Sequence, residues 1–104
     1  MGRDDPMKGF EPAFQHPVRL QIGAVLAQAQ DAEFAKLREI TGVADSVLSK
    51  HLSALADAGF VKLSKAALDG RQRTWASFTR AGSKAFAAHV AALQRLAGVA
   101  GQSA

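Results

Sequence analysis

The stretch Gly42–Leu55 (GVADSVLSKHLSAL) restricts the fold more than any other part of this sequence. Leu48, Leu52 and Leu55 stand at i, i+4 and i+7, one stripe of an α-helix. The other face carries Asp45, Ser46, Ser49, Lys50 and Ser53, short polar side chains with one cation among them. A face that meets only water usually carries long Lys and Glu side chains. A short polar face lets a helix lie close against another polyanionic helix. Upstream, Phe34-Ala35-Lys36-Leu37-Arg38-Glu39-Ile40 reads as a second short helix with Phe34, Leu37 and Ile40 facing inward. Thr41-Gly42-Val43 is the turn between them. Two short helices joined by a tight turn that contains Gly define a helix-turn-helix, with 45–58 as the recognition helix.

Length and composition narrow the setting. A chain of 104 residues is one small domain. It has no cysteine, which excludes disulfides, thiolate metal sites and thiol redox sensing, and suits a reducing cytoplasm. No apolar run is long enough to span a membrane, and no basic-then-apolar leader opens the chain. A cytoplasmic protein without a membrane partner is expected. The net charge of +4 is unevenly spread. Met1–Val61 holds six Lys/Arg against eight Asp/Glu, whereas Lys62–Lys84 holds six Lys/Arg against Asp69 alone. Positive charge concentrated just after the recognition helix suits nucleic acid. Hairpin edges also carry Lys and Arg to block aggregation, so charge alone leaves both readings open.

Taken in order, residues 1–16 read as a loose arm containing Gly2, Pro6, Gly9 and Pro12, which Phe10 and Phe14 could pin to a neighbouring surface. A first helix starts at Pro17, a good first helical residue, and runs to about Gln28 or Gln30. Arg19 near its start is read as a member of an ion pair within the subunit in preference to a phosphate contact. Asp31–Phe34 supplies a very short strand. The recognition helix stops at Ala58-Gly59, where Gly takes the left-handed position. Phe60–Lys65 and Arg73–Phe78 are strand-like, and Asp69-Gly70 between them is a hairpin turn signal. Thr79 caps a last helix over 80–97, with Phe86, Val90, Leu93 and Ala97 on one stripe, widened by His89 and Leu96. That stripe is wide for so small a core, so Phe86, His89, Val90, Leu93 and Leu96 are expected at a dimer interface. A frayed tail covers 98–104. The fold class is mainly α with a small β-hairpin (α+β). It is a winged helix-turn-helix spanning 17–97 and ending in a C-terminal dimerisation helix.

Several segments in series resemble one family. They are His16-Pro17-Val18-Arg19-Leu20, Glu33-Phe34-Ala35-Lys36-Leu37, Leu48-Ser49-Lys50-His51-Leu52, Leu55-Ala56-Asp57-Ala58-Gly59-Phe60-Val61, then Thr74 and Phe78-Thr79-Arg80-Ala81-Gly82. Over roughly 16–97 the chain resembles the winged-helix transcriptional regulators related to the MarR and ArsR groups, and the short single-domain members in particular. The resemblance implies a homodimeric, double-stranded DNA-binding regulator. Relatives often place Ser or Thr where Ala35 and Ala44 stand. Asp45 or Ser46 is then left to cap the recognition helix. The absence of Cys and the wide spacing of His16, His51 and His89 argue against a metal sensor of the ArsR type.

Among single residues, Ser46, Ser49 and Lys50 suit base edges or phosphates in the major groove, with Ser53 on the same face. Asp45 is preferred as a cap and kept as an acceptor for cytosine N4. His51 is preferred as a partly buried, internally hydrogen-bonded histidine over a phosphate contact. Lys65, Arg71, Gln72 and Arg73, in a wing over 66–73, suit backbone or minor-groove contacts. Trp75 is read as packing. No acid pair, phosphate cradle or nucleophile–base pair is placed for catalysis, so neither enzyme activity nor a cofactor or metal is expected. The expected function is a repressor that binds DNA as a homodimer, with room for an unidentified small-molecule effector. A winged helix used for protein–protein docking, or for RNA binding, would share the fold.

Overall fold

The computed structural model describes the backbone from Met7 to Ser103 and side chains through Gly98. A 3-10 turn, Pro12–Phe14, precedes α1 (Pro17–Leu26), β1 (Ala32–Glu33), α2 (Phe34–Thr41), α3 (Asp45–Asp57), β2 (Val61–Leu68), β3 (Arg71–Phe78) and α4 (Arg80–Ser103). The three strands form an antiparallel sheet in the order β1-β3-β2. Leu48, Leu52 and Leu55 of α3 are buried with Ile22 and Leu26 of α1, Leu37 of α2, Val61 of β2 and Ala76 of β3 in one core. The expected α–β–α–α–β–β–α order is therefore present.

Boundaries shift for identifiable reasons. α1 ends at Leu26, two residues short of Gln28, with the Ala27 amide donating to the Gly23 carbonyl and the Gln28 amide to the Val25 carbonyl. Ile40 is 41% exposed, not inward-facing. At 100° per residue, positions 34, 37 and 40 drift around the helix, and an eight-residue α2 buries only Leu37 at the centre of that arc. The wing is not a loop from Ala66 to Gln72. β2 and β3 stay paired out to Leu68 and Arg71, and Asp69-Gly70 alone makes the turn. Both turn residues lie at positive φ (53° and 78°), the type I′ pattern that matches hairpin twist. α4 continues through the expected frayed tail to Ser103, in keeping with its many alanines.

The arm from Met7 to His16 is packed, not loose; residues 1–6 of the expected arm lie outside the described residues. The Glu11 carboxylate accepts from the Ala13 amide (3.1 Å) and starts the 3-10 turn. That turn buries Phe14 completely. The Phe14 ring stacks on Phe60 (5.5 Å between centroids) and meets Phe86 (5.1 Å) and Phe78 (6.1 Å) edge-on. Farther out, Arg95 donates to the Lys8 carbonyl (2.7 Å). The arm therefore joins α4 to the core, which a reading of composition does not reveal.

Thr79 closes the base of the hairpin. Its amide donates to the Phe60 carbonyl (3.0 Å), and its hydroxyl donates to the Gly59 carbonyl (2.6 Å). The same hydroxyl oxygen accepts from the Gly82 amide (2.9 Å), the expected cap of α4. A Cβ on Gly82 would overlap the Phe60 carbonyl, a backbone group that cannot turn aside. Gly82→Ala is expected to cost about 1–3 kcal/mol and lower Tm by roughly 5–15 °C. Gly98→Ala, where a Cβ meets nothing within 4 Å, should leave Tm unchanged or raised. Thermal melts followed by circular dichroism distinguish the two.

Candidate nucleic-acid interface

The buried leucines of α3 fix which residues turn outward. Asp45, Ser46, Val47, Ser49, Lys50 and Ser53 are all exposed. The expected polar face is present, with one apolar member, Val47, at 40% exposure. The α3 N-terminus departs from expectation. Ala44 holds the N-cap position, and no side chain caps the first amides. Asp45 is the first helical residue, and its carboxylate accepts from the Arg38 guanidinium at 3.1 and 3.3 Å. The preferred capping role of Asp45 or Ser46 is thus replaced by an ion pair across the α2–α3 turn. Arg38 was not singled out in the sequence; an Arg in the last turn of one helix, seven residues before an Asp opening the next, is the signal that could have found it.

Strand register sorts the wing residues onto two faces, because side chains alternate along each strand. Val61/Phe78, Leu63/Ala76, Lys65/Thr74 and Ala67/Gln72 pair on the face toward α3. Lys62/Ser77, Ser64/Trp75, Ala66/Arg73 and Leu68/Arg71 pair on the opposite face. Lys65 and Gln72 therefore share a side with the recognition helix. There Phe34, Ser49, Leu52, Ser53, Leu63 and Thr74 line a hollow of about 130 Å³ between helix and hairpin. Sequence reading missed Leu63 and Thr74 as members of this surface, although strand alternation with Lys65 marks Leu63. Arg71 and Arg73 lie on the outer side with half-buried Trp75. The Arg73 guanidinium is ion-paired with Glu33 of β1, and its Nε is buried without a partner. Arg71 is exposed and has no ion pair among the described residues.

The α1–α3 junction corrects one further expectation. Among the described residues Arg19 makes no ion pair. Its Nε donates to His51 Nδ1 (3.0 Å). The His16 ring lies 4.3 Å from that of His51. His51 is half-buried and hydrogen-bonded inside the domain, as preferred from the sequence. Burial above all, then His16 and Arg19, pushes its pKa below the ordinary 6.5.

The residues expected at a subunit interface divide. Phe86 packs on Phe14, Phe78 and Gly23. His89 is 1% exposed; its Nδ1 accepts from the Glu11 amide (2.9 Å), and Phe10 meets its ring edge-on. Both are covered by their own protomer. Val90 and Leu93 are half-buried, and Leu96 is 57% exposed. Leu93 and Leu96 border a groove of about 280 Å³ with Met7, Phe10, Phe14 and Leu20. No helix among the described residues is long and apolar enough to cross a membrane.

An exposed polar helix, a tight turn before it and a basic hairpin after it define a winged helix with a candidate nucleic-acid face. The chain belongs to the winged helix DNA-binding domain family, whose pattern matches residues 18–97. It is 36% identical over 73 residues to the uncharacterized protein MJ0432 of Methanocaldococcus jannaschii, spanning 70% of this chain and 79% of that one. Its fold is similar to that of a transcriptional regulator homologue from Pyrococcus horikoshii OT3, with TM-score 0.79 and 26% identity over 89% of this chain and 90% of the other. A MarR family transcriptional regulator from Silicibacter pomeroyi shares the fold, with TM-score 0.65 and 23% identity over 80% of this chain and 54% of that one. The expected winged-helix resemblance holds: the chain is a winged helix DNA-binding protein by family, and the MarR family regulator shares its fold.

The His51 shift gives stability a definite pH dependence. Folding favours the neutral ring, so this contribution is complete above about pH 6.5 and is lost as pH falls through the lowered folded pKa. Urea midpoints of the wild type should drop as pH falls below about 6.5, and His51→Gln should flatten that decline. An equal decline in both proteins would remove His51 as its source.

Proposed function

We propose that this chain is a sequence-specific transcriptional regulator that binds double-stranded DNA as a homodimer in the cytoplasm and acts as a repressor. The observation that carries the reading is the exposed row Ser46, Ser49, Lys50 and Ser53 on α3. Nothing longer than a lysine stands between this helix and a partner, so the helix can enter a major groove. Ser hydroxyls donate or accept at base edges, and Lys50 reaches guanine O6/N7 or a phosphate. Asp45 stands beside them as an acceptor for cytosine N4 once Arg38 shares it with a phosphate. Lys65 and Gln72 follow the backbone from the α3 side of the wing, and Arg71 does so from the tip. Arg73 is assigned the smaller share, since Glu33 already neutralises it.

The dimer contact is assigned to the exposed side of α4, with Leu93 and Leu96 at its centre and Val90 beside them. Phe86 and His89 support that surface from beneath. A two-fold dimer sets its recognition helices about 34 Å apart, one DNA turn, on a near-palindromic site. Blocking a promoter needs no more than such occupancy, which is the basis for the repressor reading. The apolar groove under Leu93 and Leu96 would admit a small effector.

Fluorescence anisotropy with a mixed-sequence DNA duplex over a salt series, against a matched RNA duplex, tests the class. Tight, salt-dependent DNA binding with weak RNA binding is expected; a folded protein that binds no DNA at low salt would overturn the reading. Ser49→Ala with Lys50→Ala should relax base preference in site selection. Lys65→Ala with Arg71→Ala should weaken all sequences alike and flatten the salt slope by about two units, at roughly 0.9 per phosphate.

Leu96→Glu places a charge on the exposed stripe and should leave a folded monomer by light scattering. An intact dimer would move the contact elsewhere.

A further inference from the structure

Beside the recognition helix lies a basic cluster without a counter-charge. His16 precedes α1, Arg19 lies in its first turn, and His51 lies on α3 next to Lys50. His16 Nδ1 accepts from the Val18 amide (3.1 Å), and His51 Nδ1 accepts from Arg19 Nε (3.0 Å). A neutral imidazole that accepts at one nitrogen carries its proton on the other. Both rings are thereby fixed in the tautomer that donates from Nε2, and neither Nε2 has a protein acceptor among the described residues. Arg19 has committed only Nε; its terminal nitrogens likewise have no protein acceptor there.

The two ion-paired arginines make the contrast plain. Arg38 is matched by Asp45 and Arg73 by Glu33, whereas no carboxylate reaches Arg19 among the described residues. Two imidazole donors with rings 4.3 Å apart, and an arginine fork hydrogen-bonded to one of them, suit a tetrahedral oxyanion. The bond to His51 holds the guanidinium in place, so little side-chain freedom is lost on binding.

We infer that His16, Arg19 and His51 form an oxyanion site for a phosphate ester at the α1–α3 junction. Its ligand is either a DNA backbone phosphate flanking the groove read by α3, in which case it rests on the DNA-binding reading, or a small phosphate compound.

Histidine side-chain 15N–1H NMR of the full chain tests this, titrated with inorganic phosphate and separately with a mixed-sequence DNA duplex, at constant ionic strength in chloride. His89, packed under Phe10 away from the junction, is the internal reference. The His16 and His51 Nε2 signals should shift saturably while His89 stays still, and Arg19→Gln should abolish the shift. Movement with both titrants, or with duplex alone, assigns the site to DNA backbone. Movement with phosphate alone assigns it to a small phosphate ligand. If anisotropy shows duplex binding while His16 and His51 move no more than His89 with either titrant, the site is overturned and the DNA-binding reading stands. If phosphate shifts both rings and no duplex binds, the site stands and that reading falls. In the backbone case Arg19→Gln should also reduce the salt slope by about 0.9, one phosphate's worth.

Discussion

The geometry of this protein depends on Thr79. Its amide and hydroxyl bind the carbonyls of Phe60 and Gly59, where the chain leaves α3 and enters the hairpin. The hydroxyl also opens α4 by accepting from Gly82. One residue thus ties the end of the recognition helix, the base of the wing and the start of the long helix. The segments around Gly59-Phe60-Val61 and Phe78-Thr79-Arg80-Ala81-Gly82 are the two sides of this contact. Gly59 supplies the positive φ of 83° that ends α3, and Gly82 supplies the missing Cβ that lets α4 approach.

What could be read in advance follows from how local each signal is. The leucine stripe of α3, the Asp69-Gly70 turn and the Thr79 cap depend on residues within a few positions of one another, and all appear as expected. Ile40 failed because a three-residue spacing drifts off a short helix. In the arm Phe10 and Phe14 are legible as anchors, but the targets are remote: Phe14 meets Phe60, Phe78 and Phe86, which no local pattern connects to it, so the segment reads as loose. The partners of Asp45, Arg19 and Arg73 were misread or missed for the same reason. Each meets a charge or ring brought there by the tertiary fold.

The electrostatics of the reading face are shaped by subtraction. Arg38 and Arg73 are each matched by an acid, and such partly exposed pairs add little stability, about 0–1 kcal/mol. Their effect is to lower the number of unmatched charges. On α3 and the hairpin, Lys50, Lys62, Lys65 and Arg71 have no ion-pair partner among the described residues. In the proposed function these four unmatched cations attract the polyanion, and selectivity falls to the serines between them.

α4 has 24 residues in a molecule 57 Å in its longest dimension. At 1.5 Å per residue it is a rigid beam about 36 Å long, rooted at the Thr79 hydroxyl. A tilt of only about 5° at the root sweeps the far end through roughly 3 Å, by the same geometry. Phe86, His89 and Ala92 are buried along its inner part and Arg95 is tied to the Lys8 carbonyl, so any such tilt must carry the arm with it.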